Sequence, residues 1–134
     1  MFKSLAKYAD LGLLLGRIGI GVIYINFGWQ KLAGGQAAWT KIGHAMGSVG
    51  IHFMPNFWGL LAALSEFGGG ILLILGFVFR PATMFLAFTM LIAFVSTFRA
   101  EPHDFPHFAW PFQMLCTFVM LLFVGPGKYS IDRG

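Results

Sequence analysis

Four long apolar segments run through the chain, and charged or turn-forming residues stand at their ends. The segments cover residues 11–27, 57–79, 83–98 and 108–124. Each approaches the length of about 20 residues that a helix needs to cross a bilayer. Arg80 and Pro81 are predicted to form the tight turn between the second and third segments, and Pro111 is expected in the first turn of the fourth helix, where proline is tolerated. The pattern therefore predicts an all-α fold, an antiparallel bundle of four transmembrane helices, as a single domain over residues 1–134.

The segment between the first two spans, residues 34–55, is too polar to cross a membrane. Its apolar residues recur at steps of three and four: Trp39, Ile42, Met46 and Val49. This spacing is typical of a short amphipathic helix at the membrane surface. Gly43, Gly47 and Gly50 suit a loosely packed loop equally well. We therefore expect an interfacial segment between helices one and two, with the loop as an alternative.

The composition supports a membrane protein and excludes several other classes. Hydrophobic residues make up 57% of the chain and charged residues only 10%, whereas a soluble domain has about 25% charged residues. The net charge of +4 is spread without a run of Lys and Arg, so a nucleic-acid partner is not expected. Cys116 is the only cysteine, which excludes an internal disulfide and a redox dithiol.

The first span carries a stripe of polar residues and glycines at helical spacing. Its members are Arg17, Gly21, Tyr24, Gly28 and Lys31. Residues three and four positions apart lie on one face of a helix. We expect this face to point into the bundle. Gly12 and Gly16 form a separate G-x-x-x-G pair, which favours close helix contact and a homo-oligomer.

Glu66 is the only charged residue within residues 57–79, about 13 Å along the helix from Phe57. A carboxylate at this depth costs at least about 2.5 kcal/mol, so it needs a partner in protein or water. Arg17, Lys31 and Arg99 all remain open as that partner. One interpretation is a structural ion pair within tightly packed helices.

The other interpretation is an apolar-walled pocket in the outer half of the bundle, lined by Glu66 and its cationic partner. Tyr24 and Gly28 would face it from the first helix. Gly69 or Gly70, in the triple glycine after Glu66, would leave the room for it.

Six residues are candidates for ligand binding, and no residue is assigned a catalytic role. The candidates are Glu66, Arg17, Tyr24, Lys31, Arg99 and His103. None of the four histidines lies in the middle of a span, which argues against a haem held across the bundle. His103 and His107 stand beside Glu101 and Asp104, but Pro102 and Pro106 interrupt the helix that would align them. We therefore assign no metal site and interpret this stretch as a solvated outer loop.

Five stretches of the sequence carry a family resemblance. They are Arg17, FGWQKL at 27–32, LSEFGGG at 64–70, GFVFRPA at 76–82 and GPGKYSID at 125–132. Their order and spacing resemble the DoxX family over nearly the whole chain. The resemblance implies a four-helix inner-membrane protein of bacteria or archaea. The family takes its name from a subunit of a thiosulfate:quinone oxidoreductase, and some members associate with redox or thiol-stress proteins.

The resemblance and the polar residues together give three hypotheses for function. The first is a membrane subunit of, or partner in, a quinone-linked redox system. Here Tyr24, Glu66 and Arg99 would hold a bound quinone, and no covalent cofactor is expected. The chain offers no redox centre of its own, so this hypothesis needs a redox partner protein or the quinone itself. The second is a non-enzymatic scaffold or assembly factor, and the third is a carrier for a lipid or small molecule.

The distribution of positive charge predicts the orientation in the membrane. One side of the bundle would hold Lys3, Lys7, Arg80, Lys128 and Arg133, and the other Lys31, Lys41 and Arg99. Lys and Arg are enriched in cytoplasmic segments. We therefore expect the lipid of the inner (plasma) membrane as the surroundings, with both termini in the cytoplasm.

Overall fold

The computed structural model describes residues 3–132, and the regular secondary structure in this part of the chain is all helical, with no strand. The helices are α1 (Lys3–Ala6), α2 (Ala9–Ala33), α3 (Gly35–Gly43), a 3-10 helix (His44–Val49), α4 (Pro55–Leu75), α5 (Phe79–Ala100) and α6 (Phe105–Val124). Within these residues α2, α4, α5 and α6 are long and apolar enough to cross a membrane. The predicted all-α bundle of four transmembrane helices is confirmed.

The four long helices pack in chain order, and aromatic side chains bring the first and the last of them into contact. α2 packs on α4, α4 on α5, and α5 on α6. α2 and α6 meet through side chains, with the rings of Tyr24 and Phe118 edge to face at 5.3 Å. Tyr24, Leu73, Leu86 and Phe118 are among the fully buried residues of the core that results.

The buried face of α2 is the stripe that the sequence predicted. Arg17, Gly21, Tyr24 and Gly28 are its buried residues. The two glycines lie against the backbone of α4: a Cβ on Gly21 would be 2.7 Å from the carbonyl oxygen of Gly70, and one on Gly28 would collide with the backbone of Phe67. The missing side chains therefore let the two helix backbones touch.

The segment between α2 and α4 is helical, and the loop alternative is wrong. α3 folds back onto α4, where Gly43 lies against the backbone of Pro55 and Gly59 against the backbone of Trp39. The Trp39 indole also donates a hydrogen bond of 3.1 Å to the carbonyl oxygen of Lys31. This segment therefore packs on the end of α2 and the start of α4, the two helices that it connects.

The helices differ from the predicted spans most clearly at the turn between α4 and α5 and at the start of α6, and α2 continues to Ala33, beyond the predicted end at residue 27. α4 ends at Leu75, where Gly76 adopts a left-handed conformation (φ 66°). Arg80 and Pro81, which we predicted as the turn, lie in the first turn of α5, where proline costs little because its missing N–H has no helical partner there. α6 begins at Phe105, so Pro111 lies inside the helix and not in its first turn as predicted.

The C-terminal segment is hydrogen-bonded across the end of the bundle at which α5 begins. The carboxylate of Asp132 accepts hydrogen bonds from the backbone N–H groups of Val78 (3.2 Å) and Phe79 (2.8 Å), which lie at the start of α5. The backbone N–H of Asp132 donates to the carbonyl of Gly76 at 3.0 Å. Asp132 therefore caps α5 from a distant part of the sequence.

Candidate functional site

Glu66 and Lys31 form a hydrogen-bonded ion pair inside the bundle. Glu66 Oε1 lies 2.6 Å from Lys31 Nζ, and the two side chains are 1% and 32% exposed. Glu66 lies about 16 Å from Pro55 along α4, near the middle of that helix. The contact of Gly28 with Phe67 brings the next turn of α2, and with it Lys31, beside Glu66. Of the three cations left open, the structure pairs Lys31 with Glu66.

A cavity of about 210 Å³ lies beside this pair. Its walls are mainly apolar and come from every long helix and from the segment after α3. The lining includes Lys31 of α2; Met46 of the 3-10 helix; Trp58, Ala62, Ser65 and Glu66 of α4; Phe85, Thr89 and Ala93 of α5; and Trp110 of α6. The ion pair therefore forms part of the wall of an otherwise hydrophobic space.

Two polar atoms of the lining residues have no hydrogen-bond partner among the described residues. They are the second carboxylate oxygen of Glu66, Oε2, and the indole nitrogen of Trp58, Nε1, and both are buried. Leaving a buried donor or acceptor unsatisfied costs about 1–3 kcal/mol. Both atoms belong to residues that line the cavity.

Tyr24 lies behind the cavity wall. Its hydroxyl donates to the sulfur of Met90 at 3.2 Å, and Met90 lines the cavity. Tyr24 itself lines a second, wholly apolar space of about 250 Å³ between α2 and α6, together with Phe27 and Trp110. Tyr24 therefore contacts the site through Met90.

Arg17 lies far from Glu66, in the N-terminal half of α2. Its guanidinium donates to the carbonyl oxygens of Leu73 (3.4 Å) and Tyr129 (2.5 Å). Fourteen residues separate Arg17 from Lys31, which is about 21 Å along the helix. In this structure Arg17 holds the C-terminal segment to α4 and does not contact the cavity.

Arg99 and His103 are exposed at the end of α5 and in the connection to α6. Neither belongs to the described residues that line the cavity. Of the six candidate residues, the structure therefore brings together Lys31 and Glu66, with Tyr24 one contact away, and leaves the other three apart.

The glycines after Glu66 do not provide the space, contrary to our expectation. A Cβ on Gly69 would be 3.0 Å from the side chain of Leu86, and one on Gly70 would be 2.7 Å from the carbonyl oxygen of Gly21. Gly28 is likewise occupied by close packing against Phe67. These glycines are sites of close helix packing, and the cavity lies closer to the start of α4, beside the small residues Ala62 and Ala93.

The sequence analysis proposed only Lys31 and Glu66 among the lining residues, and the residues that it missed include Trp58, Thr89 and Trp110. The two tryptophans resemble the interfacial aromatic residues of any membrane protein. Thr89 is bonded to its own helix through the carbonyl of Phe85 at 2.9 Å. A weak signal was present in α4, where Trp58, Ala62 and Ser65 share one helical face with Glu66.

Acidic residues and a histidine gather at the exposed start of α6. Ligand atoms of Glu101, Asp104 and His107 lie within 4.8 Å of one another, and all three side chains are exposed. His107 Nδ1 is 3.4 Å from Glu101. His103 is not part of this group. The described residues show no second feature that points to a metal here.

These features define a small multi-pass membrane protein with a charged pair beside an internal cavity. The family model named DoxX matches residues 12–99. The chain is 38% identical to the inner membrane protein YqjF of Escherichia coli K12 over 130 residues, covering 95% of this chain and 94% of that protein. It is 30% identical to the inner membrane protein YphA of the same organism over 140 residues, covering 95% and 96%.

The chain belongs to the DoxX family and is a small multi-pass inner membrane protein. No solved structure matches it.

Proposed function

We propose that this protein is the membrane subunit of, or a partner in, a quinone-linked redox system, and that the cavity beside Glu66 holds the quinone head group. The observation that supports this most is the pair of unsatisfied groups, Glu66 Oε2 and Trp58 Nε1, on residues of one apolar cavity. Binding sites for small molecules typically combine apolar walls with a few placed polar groups.

The two groups suit the two redox states of a quinone. The oxidised ring has carbonyl oxygens, which accept a hydrogen bond from an indole N–H. The reduced ring has hydroxyl groups, which donate to a carboxylate oxygen. An apolar cavity of about 150 Å³ is enough to hold benzene, so a space of about 210 Å³ accommodates one substituted ring.

In this proposal the ion pair with Lys31 leaves one oxygen of Glu66 for the ligand. The ammonium group of Lys31 keeps the other oxygen of Glu66 engaged at 2.6 Å, and the Lys31 side chain is 32% exposed. A carboxylate that is held in this way leaves Oε2 as the acceptor for a hydroxyl proton. The protein supplies binding and proton contacts, and a redox partner protein would exchange the electrons with the ring.

Two substitutions should affect the two redox states differently. Glu66→Gln removes the charged acceptor, so binding of a reduced benzoquinone ring should weaken by about tenfold to a hundredfold, because hydrogen bonds to charged groups contribute about 1.5–3 kcal/mol. Trp58→Phe removes the donor and should weaken mainly the oxidised ring, by about fivefold. Binding is measured calorimetrically with purified protein in lipid nanodiscs.

The exposed residue Trp29 provides the matched control, since Trp29→Phe should leave the affinity for both rings unchanged. A wild-type protein that binds neither ring would contradict the proposal and favour the non-enzymatic scaffold. Binding that responds equally to all three substitutions would place the ring elsewhere.

Both termini are proposed to lie in the cytoplasm, from the predicted excess of Lys and Arg on that side. Arg133, one of the five residues counted there, lies outside the described residues. With Cys116 replaced by serine, a cysteine at the exposed position Asp104 should react with an impermeant maleimide added to whole cells, and one at Lys128 should react only after lysis. The reverse pattern would invert the topology.

A homo-oligomer through α2 is proposed from its outward glycine face. A Cβ on Gly12, Gly16 or Gly19 would meet nothing within 4 Å in the single chain, so a second copy has room to approach. Gly16→Leu should then reduce the mass of the detergent-solubilised complex, measured by light scattering. Gly68→Leu, at another open position on α4, is the control. A monomeric wild type would refute the oligomer.

A further inference from the structure

The outer end of the cavity is covered by the segment that precedes α4. Ile42, Gly43, Ala45 and Met46 line this end. Gly43 packs directly on the backbone of Pro55, so the cover is fastened to the start of α4. A molecule in the outer water would have to displace packed backbone in order to reach Glu66 from this direction.

The side between α4 and α5 is bordered differently. Leu61 of α4 and Phe85 and Phe88 of α5 line the cavity, yet they are 38%, 58% and 52% exposed. Residues that both line a cavity and reach the surface mark where it opens, and three of them cluster here; Trp110 of α6, 46% exposed, is a further one. Toward the inner side the two helices close again, where Gly69 meets the side chain of Leu86.

This opening lies within two transmembrane helices, α4 and α5. Its exposed border therefore faces the hydrocarbon of the bilayer and not water. Bulky apolar side chains are the expected lining for a passage between a lipid phase and a protein interior.

We propose that the cavity receives its ligand from the bilayer through this lateral portal, formed by Leu61, Phe85 and Phe88. The ligand is an amphipathic, membrane-dissolved molecule whose head lies beside Lys31 and Glu66 and whose apolar chain passes between α4 and α5 into the lipid. The cavity holds about 210 Å³, which leaves no room for a long chain beside a ring. This inference rests on the proposed function, because it assumes that a head group binds beside Glu66.

The test compares one benzoquinone ring without a side chain and the same ring bearing a decyl chain. Both are titrated into nanodiscs containing wild-type protein, with empty nanodiscs as the blank for partitioning into lipid. Leu61→Trp places an indole in the portal. It should weaken binding of the decyl compound by at least about tenfold and leave the bare ring within about twofold. Leu64→Trp, one turn further along α4, exposed and not lining the cavity, is the matched control and should change neither.

A second variant works in the opposite direction. Phe85→Ala widens the portal, and the association rate of the decyl compound should rise by about threefold or more, with a smaller rise for the bare ring, which enters by the same route. This variant keeps the test decisive where Leu61→Trp fails to fold, as judged by circular dichroism and gel filtration.

The outcomes separate the two proposals. If the wild type binds neither compound, the proposed function fails. If it binds the bare ring but excludes the decyl compound, or if Leu61→Trp and Leu64→Trp act alike on the decyl compound, the head site stands and the lateral portal is refuted. Loss of bare-ring binding in a folded Leu61→Trp protein would also overturn the portal, because the indole would then occupy the head site itself.

Discussion

Lys31→Met is expected to destabilise the protein by about 3 kcal/mol, because it leaves the carboxylate of Glu66 buried without its cation. Glu66 is 1% exposed and its Oε1 has Lys31 Nζ at 2.6 Å. Methionine keeps most of the length and apolar volume of the lysine stem, so the loss reports on charge more than on packing. Unfolding in mixed micelles of mild detergent and dodecyl sulfate, followed by circular dichroism, measures the change.

The double variant Lys31→Met with Glu66→Gln separates a structural role from a functional one. Removing both charges eliminates the unpaired carboxylate, so the double variant should recover most of the lost stability, to within about 1 kcal/mol of wild type. It should nevertheless not recover binding of the reduced ring. Lys41→Met, at an exposed position, is the control and should be neutral. Additive losses in the double variant would contradict the ion pair as the source of the effect.

The face of α2 could be predicted from the sequence because helical periodicity places residues on a face without knowledge of the partner helix. Arg17, Gly21, Tyr24 and Gly28 are buried as the spacing requires. The same periodicity could not choose the partner of Glu66. Depth in the membrane left three cations as possible partners. Which of them pairs with Glu66 depends on how closely α2 approaches α4, and the contact between Gly28 and Phe67 determines that distance.

The cavity shows where prediction from the sequence stops. Missing side-chain volume at Gly69 and Gly70 suggested space, but a neighbouring helix occupies each position. Whether a glycine lies at a helix contact or beside a cavity depends on the distance between two helices. The same sequence pattern is compatible with either arrangement. The lining from α5 and α6 adds no charge to the walls, so no polar signal marked those helices as part of the site.

The turn between α4 and α5 was misplaced for a local reason. Arg80 and Pro81 have the appearance of a helix stop, because proline disfavours helix at the preceding residue. Here Gly76 ends α4 and the remote carboxylate of Asp132 caps α5. Because the capping residue is distant in the sequence, the residues around the turn do not indicate where α5 begins.

Gly28→Ala is expected to destabilise the protein by about 3 kcal/mol, because a Cβ at this position collides with the backbone of Phe67. A backbone, unlike a side chain, cannot relieve the collision by changing rotamer. Forcing α2 away from α4 should also lengthen the contact between Lys31 and Glu66 and weaken binding of the reduced ring. Gly19→Ala on the same helix meets nothing within 4 Å, so it should be neutral or stabilise by about 0.5–1 kcal/mol. Unfolding of the two variants in the same mixed micelles gives a direct comparison, and equal shifts would show that α2 and α4 are not in backbone contact.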